Sequence, residues 1–268
     1  MQPAFIALFN ISPQATFSYA SESVYDVLGY EPMEILNKNW VEFYHPDEVG
    51  SIMGLFLANI RDDVFGAVLT CRMRHKRGHY IPVEIAGVIC YDVVVCVFHL
   101  QESTEVARMI HFYSPVQRTL IKYQVSYDQY HRVMSLPDAR MEECGEITLE
   151  PRICLIIDRF TKQHIIQYAS QATNFLLGYE ASAMIGTPLL KYVAEQDISL
   201  VRDMLLASKS KLKLYRFMFT FKTLLFGEIP MEAISCSGSE SLVLTLRIDP
   251  RMLFLHDEDS EAGSICGV

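Results

Sequence analysis

The chain has 268 residues, which at about 150 residues per domain suggests two domains. Half of it is hydrophobic and 21% is charged, enough apolar material for ordinary cores and unlike a disordered chain. With 23 Lys and Arg against 32 Asp and Glu, net charge −9, a broad cationic face for a nucleic-acid backbone is not expected.

The start, MQPAFIALFN, has no basic segment, and its apolar run from Ala4 to Phe9 is only six residues, too short for a signal peptide. The run from Val93 to Phe98 is also six residues, against about 20 for a membrane span. A soluble cytoplasmic or nuclear protein is expected, with no membrane partner. The seven cysteines (71, 90, 96, 144, 154, 236 and 266) are odd in number and never spaced C-x-x-C. Most lie in apolar, strand-like segments, so they read as buried free thiols in a reducing compartment and not as a metal site or a disulfide scaffold.

The chain contains one unit written twice. Shifted by 149 positions, residues 17–49 fall on 166–198 without a gap, and seven of the 33 positions are identical: Tyr19/Tyr168, Ala20/Ala169, Ser21/Ser170, Leu28/Leu177, Gly29/Gly178, Tyr30/Tyr179 and Glu31/Glu180. After a register change of one residue, IPVE at 81–84 falls on IPME at 229–232. Two matches in the same order indicate duplication of a unit of about 100 residues.

In chain order, each copy opens with an apolar strand, Phe5 to Phe9 or Ile153 to Ile157, then a second short strand ending at Tyr19 or Tyr168. Ser21 or Ser170 is the expected N-cap of a helix whose apolar face in the first copy is Val24, Val27 and Leu28, with Gly29 as its stop. Pro46, Asp47 and Glu48 suit the first turn of a further helix. Residues 64–74, 79–91 and 93–100 then change period and read as antiparallel strands, as do 213–224, 228–236 and 241–248. Residues Val116, Leu120, Tyr123, Tyr127, Tyr130 and Met134 recur at helical spacing between the copies. The tail from His256 carries Asp257, Glu258, Asp259 and Glu261 without Lys or Arg and is expected to be disordered. The predicted fold class is α+β, with a domain at 1–101, a helical linker at 102–149, a second domain at 150–252 and an acidic tail at 253–268. Each domain is a five-stranded antiparallel sheet flanked by short helices.

The order of elements, with LGYEPMEILNKNWVEFYHPDEV and GHYIPVEIAG in the first copy, resembles a PAS domain; LGYEASAMIGTPLLKYVAEQD with GEIPMEAIS resembles a second. The signature residues are Gly29, Tyr30, His45, Pro46, Pro82 and Glu84, then Gly178, Tyr179, Pro230 and Glu232. The first copy is similar to fungal white-collar-type and other eukaryotic regulatory PAS proteins. PAS domains serve as flavin or haem sensors, small-ligand binders or dimerisation modules, so the resemblance leaves function open.

A light-sensing domain of the LOV type would need a cysteine where this chain has Trp40 and Leu189, so the flavin adduct is not expected. Haem would need an imidazole aimed into the pocket; His45 and His111 are the candidates, His45 reading more simply as a helix-boundary residue. Glu84 and Glu232 lie in separate domains and read as fixed sheet positions, since acids acting together must lie within about 10 Å. The basic run Arg72, Arg74, His75, Lys76 and Arg77 reads as a solvated hairpin tip, and Lys209, Lys211 and Lys213 as an exposed edge. No phosphate loop, zincin or serine-elbow motif occurs, so no catalytic residue, metal site or cofactor is predicted.

In the second copy, Leu242, Leu244, Leu246 and Ile248 alternate with Ser241, Val243, Thr245 and Arg247, predicting one buried and one wet face. In the first, Val93, Val95 and Val97 alternate with Val94, Cys96 and Phe98, so both faces need cover. The amphipathic helix carrying Leu120, Tyr123, Tyr127 and Tyr130 is the nearest cover; docking on the second domain or pairing with another chain are the other uses open to it. These residues, with Val93, Val95 and Val97, are the candidate interaction surface. The expected function is non-catalytic PAS-type association with another PAS protein or with itself, without direct nucleic-acid contact. A core-pocket sensor of flavin, haem or a small ligand is the alternative.

Overall fold

The computed structural model describes residues 3–10, 15–61, 65–90, 93–101, 151–210 and 215–249. The predicted linker helix with Leu120, Tyr123, Tyr127 and Tyr130, together with His111 and the acidic tail, lies outside the described residues.

The first domain runs β1 (Ala4–Asn10), β2 (Phe17–Ala20), α1 (Val24–Leu28), α2 (Pro32–Ile35), a 3-10 turn (Trp40–Phe43), α3 (Pro46–Arg61), β3 (Ala67–Arg74), β4 (Tyr80–Ile89) and β5 (Val93–Leu100). The second repeats it as β6 (Ile153–Asp158), β7 (Ile166–Ala169), α4 (Ala172–Leu177), α5 (Ala181–Met184), two 3-10 turns (Leu189–Tyr192 and Glu195–Asp197), α6 (Ile198–Ser210), β8 (Tyr215–Lys222), β9 (Glu228–Ser237) and β10 (Ser241–Ile248). The strand orders are β2-β1-β5-β4-β3 and β7-β6-β10-β9-β8, antiparallel throughout.

The two copies also share small bonding details. Lys76 N donates to Leu28 O, as Leu224 N does to Leu177 O, tying each β-hairpin tip to the end of a short helix. Gln101 N donates to Pro82 O, and Asp249 N to Pro230 O. Tyr30 packs edge-on against Phe43 at 5.4 Å, and Tyr179 against Tyr192 at 5.0 Å. Gly29 and Gly178 end their helices at φ 76° and 79°, where a side chain is strained.

One prediction fails the same way in both copies. Ser21 and Ser170 are not N-caps; Ser23 and Gln171 hold those positions, without a capping side-chain bond. Ser21 Oγ accepts from Ile6 N at 3.0 Å, and Ser170 Oγ from Cys154 N at 3.0 Å. Both serines are buried and satisfy a strand donor beside the β1–β2 or β6–β7 pairing, which outranks the cap because a buried unpaired N–H costs about 1–3 kcal/mol.

Each sheet packs its inner face on its own helices. Phe5 and Phe98 stack at 4.5 Å in the first core; Leu155, Leu244 and Phe221 lie in the second. A third apolar layer lies between the sheets. It unites Ala4, Ile6, Leu8, Ala86, Val88, Cys90, Val93, Val95 and Val97 with Cys154, Ile156, Ile234, Cys236 and Val243. The cover of the first sheet's outer face is therefore the second sheet. The predicted wet face of β10 is corrected with it: Ser241, Val243 and Thr245 are buried, because they face the other domain. β8 alternates, with Phe217, Phe219 and Phe221 inside and Arg216 exposed.

An added Cβ at Gly29 would lie 2.8 Å from the His75 ring in a left-handed backbone, whereas at Gly78, also left-handed, it meets nothing within 4 Å. Gly29→Ala is expected to destabilise the chain by roughly 1–3 kcal/mol and Gly78→Ala by clearly less, read from denaturation midpoints of the two variants.

Candidate functional site

Two features are built by the strands β4 and β5, one on each side. On the outer side is the interdomain layer, and burying each Val or Ile there contributes about 1.5–3 kcal/mol relative to exposure. Polar contacts set its register. Ala4 N donates to Ser239 Oγ at 2.8 Å, Ser239 N to Ala4 O at 3.1 Å, and Ser23 N to Glu240 Oε1 at 3.0 Å. At the other end Arg152, buried, donates from Nη1 to Ile89 O at 3.0 Å. The Phe65 ring receives the guanidinium groups of Arg152 at 5.2 Å and Arg247 at 4.5 Å. Gly238 sits so close to the first domain that a Cβ there would meet Ile6 Cγ1 at 2.9 Å.

Of the predicted interaction residues, Val93, Val95 and Val97 lie in this layer, each buried. Along the same face of β5 comes His99, whose strand neighbours are Ala4 and Glu84. His99 is 3% exposed, and its Nδ1 has no hydrogen-bond partner among the described residues. Burial pushes its imidazole down to about 4.

On the inner side of the same strands is a cavity of about 60 Å³, lined by Phe9, Trp40, Tyr44, Phe56, Cys96 and Gly87 among others, room for a few water molecules or a small organic group. Its walls are mostly apolar, with Asn59 a polar member. Trp40, 7% exposed, leaves its Nε1 without a partner among the described residues; an indole N–H is a donor only, so it calls for an acceptor. Burial raises the Tyr44 hydroxyl well above the ordinary tyrosine range and pushes the Cys96 thiol up, so neither offers a negative charge to an occupant.

The second domain differs at the matching positions. In the register that pairs Pro82 with Pro230, Gly87 corresponds to Ser235, and along the long helix Asn59 corresponds to Ser208. Ser208 and Ser235 hydrogen-bond to each other between α6 and β9. Leu189, in Trp40's place, is fully buried in the second core.

His45 stands at the start of α3, with Asp47 N donating to its Nδ1 at 3.3 Å and its ring 4.5 Å from that of Tyr80; among the described residues no histidine lines the cavity. Pro46 opens α3. Glu84 lies in β4 opposite Thr70 and His99. Glu232, in the other sheet, is buried between Arg216 and Arg247, the latter at 2.7 Å. Burial raises its carboxyl, but bonds from the two arginines outweigh that and hold it below the usual range. In the basic run, Arg72 pairs with Glu48 and Lys76 with Glu34, each at 2.6 Å. Sequence reasoning missed the cavity, Arg152 and His99; the signal for the cavity was a lone strand glycine, Gly87, beside a solitary tryptophan.

Among the described residues no helix is long and apolar enough to cross a membrane, and no three His, Cys, Asp or Glu side chains gather to hold a metal ion. Residues 17–96 match the family model described as a PAS fold. That match falls in the first domain, and the second repeats its strand order and α+β fold. Hypoxia-inducible factor 1-alpha of Eospalax fontanierii baileyi is 34% identical over 92 residues, covering 30% of this chain and 11% of that protein. The same factor of Oncorhynchus mykiss is 29% identical over 105 residues, 35% of this chain and 13% of that one. The chain thus spans about a tenth of the length of the curated relatives it matches. A solved PAS domain of the Cronobacter turicensis RpfR quorum-sensing receptor, in complex with BDSF, aligns at 15% identity over 36% of this chain and 92% of that one, TM-score 0.33.

An unfolded histidine titrates near 6.5, so between about 6.5 and about 4 the unfolded chain binds a proton that folded His99 refuses. Stability is expected to fall as pH drops through that window. His164, also buried and lowered by burial with Lys209 and Arg202 nearby, adds to the loss. His99→Leu should flatten the slope in part, checked by urea titrations at stepped pH.

Proposed function

We propose that this is a non-catalytic regulatory protein whose two PAS-like domains work by PAS-type association through the outer faces of their sheets, in the cytoplasm or nucleus. The observation that carries it is the interdomain layer: the outer face of β5, with Val93, Val95 and Val97, is matched by that of β10 and its neighbours. The similarity to hypoxia-inducible factor 1-alpha supports a regulatory setting, with transcription as its finer form; the affinity to white-collar-type proteins rests on the motifs of the first copy. Introducing an unpaired charge into an apolar contact costs several kcal/mol. Val95→Asp in the full chain is therefore expected to release the domains, raising the radius of gyration in solution scattering while Trp40 emission, a reporter of the first core, stays that of a buried indole. An unaltered radius with Val95→Asp would count against the reading.

A second reading, a small-ligand sensor, is favoured by the first-domain cavity with its unpartnered Trp40 Nε1. The fitting ligand is small, largely apolar and carries one hydrogen-bond acceptor. Trp40 is the single tryptophan of the chain, so its emission reports occupancy. A copurifying molecule seen by native mass spectrometry is expected to be lost in Gly87→Ser, which places a side chain against Cys96 Sγ, already 3.3 Å from a Cβ at that position. Absence of any small molecule from protein prepared out of its native cell, with emission identical in the two proteins, would remove this reading.

A further inference from the structure

The outer face of the first sheet is filled by a partner that belongs to the same chain but is not held there by a short connection. Residues 101–152 join the two sheets, a covalent tether whose extended reach is about 170 Å at 3.3 Å per residue. Such a length does not dictate which copy's second domain takes the site. The contact itself is complementary, with apolar rows Val88, Val95 and Val97 against Ile156, Ile234 and Val243 and the backbone pair Ala4–Ser239 bonding in both directions.

We propose that this face is an exchangeable dock whose alternative occupant is the second domain of another copy of this chain, so that the closed monomer and a reciprocal dimer use the same contacts. The inference rests on the association reading above. In the exchanged dimer each first domain holds the partner's second domain, both docks are satisfied, and the two-fold arrangement closes without leaving an open face. The covalent link between the two domains gives the closed form the advantage of effective concentration. At micromolar concentration the wild-type chain is therefore a monomer, and any trans partner for this face has to displace the second domain first. The face is thereby guarded in cis, and opening the chain, not making new contacts, is what regulates its availability.

Two full-length variants that damage opposite halves of the dock test this. Val95→Asp spoils the first domain's face and leaves the second domain's intact; Val243→Asp does the reverse. Neither can close on itself, and neither can pair with its own kind. Mixed in equal amounts, they retain one intact face each and are expected to sediment as a 1:1 heterodimer at micromolar concentration, where each alone and the wild type remain monomers. Circular dichroism of both variants, with Trp40 emission for the first domain, establishes that they fold; should Val95→Asp fail this, Ala86→Glu on the neighbouring strand of the same face replaces it, and Ile234→Asp replaces Val243→Asp. A mixture of folded, opened variants that sediments as the sum of its components overturns the exchange proposal while leaving the cis contact standing. Variants that keep the wild-type radius of gyration overturn the association reading itself.

Discussion

A one-layer sheet has two faces, and in this protein the strands at its middle are apolar on both. That constraint organises everything else. Val94, Cys96 and Phe98 demand a core on one side, met by the short helices and by α3; Val93, Val95 and Val97 demand cover on the other. Leaving that second row in water would expose a large apolar patch. The duplicated unit supplies its own solution, because a second sheet of the same design offers a similar face. The two domains consequently have a core each and also share a layer that neither can complete alone.

The same geometry places the cavity and the dock back to back. Residues alternate through β4 and β5, so Gly87 and Cys96 line the cavity while Ala86 and Val95 line the interdomain layer. Anything that shifts these strands is felt on both sides, since packed interiors transmit displacement. The two copies have diverged in the part of the unit that would hold a ligand: a glycine beside a tryptophan in the first, a hydrogen-bonded serine pair in the second. The hairpin tips have diverged as well, His75 to His79 in the first and the exposed Leu224, Leu225 and Phe226 in the second. Duplication has kept the frame and changed the chemistry at its two most adjustable places.

Much of this was legible in the residues. The repeat could be read because helix ends depend on local steric rules: Gly29 and Gly178 occupy left-handed positions that few other residues tolerate. Apolar runs and period-two alternation located all ten strands of the described residues, with ends that differ by a few residues in either direction: 79–91 is longer than Tyr80–Ile89, and Phe5 to Phe9 shorter than Ala4–Asn10. What could not be read was long-range. Ser21 and Ser170 look like helix caps from their neighbours in sequence, yet they serve strands 15 and 16 residues away. Ser241, Thr245 and Arg247 look like a solvated face because polarity in a sequence does not reveal what lies opposite; here it is another domain. The cavity was hidden for a related reason, since a void is the absence of side chains and leaves only a glycine as its mark.

The most direct measurement of the shared layer uses thiols already in the chain. Cys90, Cys154 and Cys236 lie between the sheets, whereas Cys71 belongs to the first core. Burial pushes the Cys236 thiol up to about 12, and alkylation requires the thiolate. Site-resolved maleimide labelling of the native full-length chain should find Cys90, Cys154 and Cys236 as slow to react as Cys71. Rapid labelling of those three, with Cys71 still protected, would mean that the outer faces stand open to water and that the two sheets do not pack together in solution.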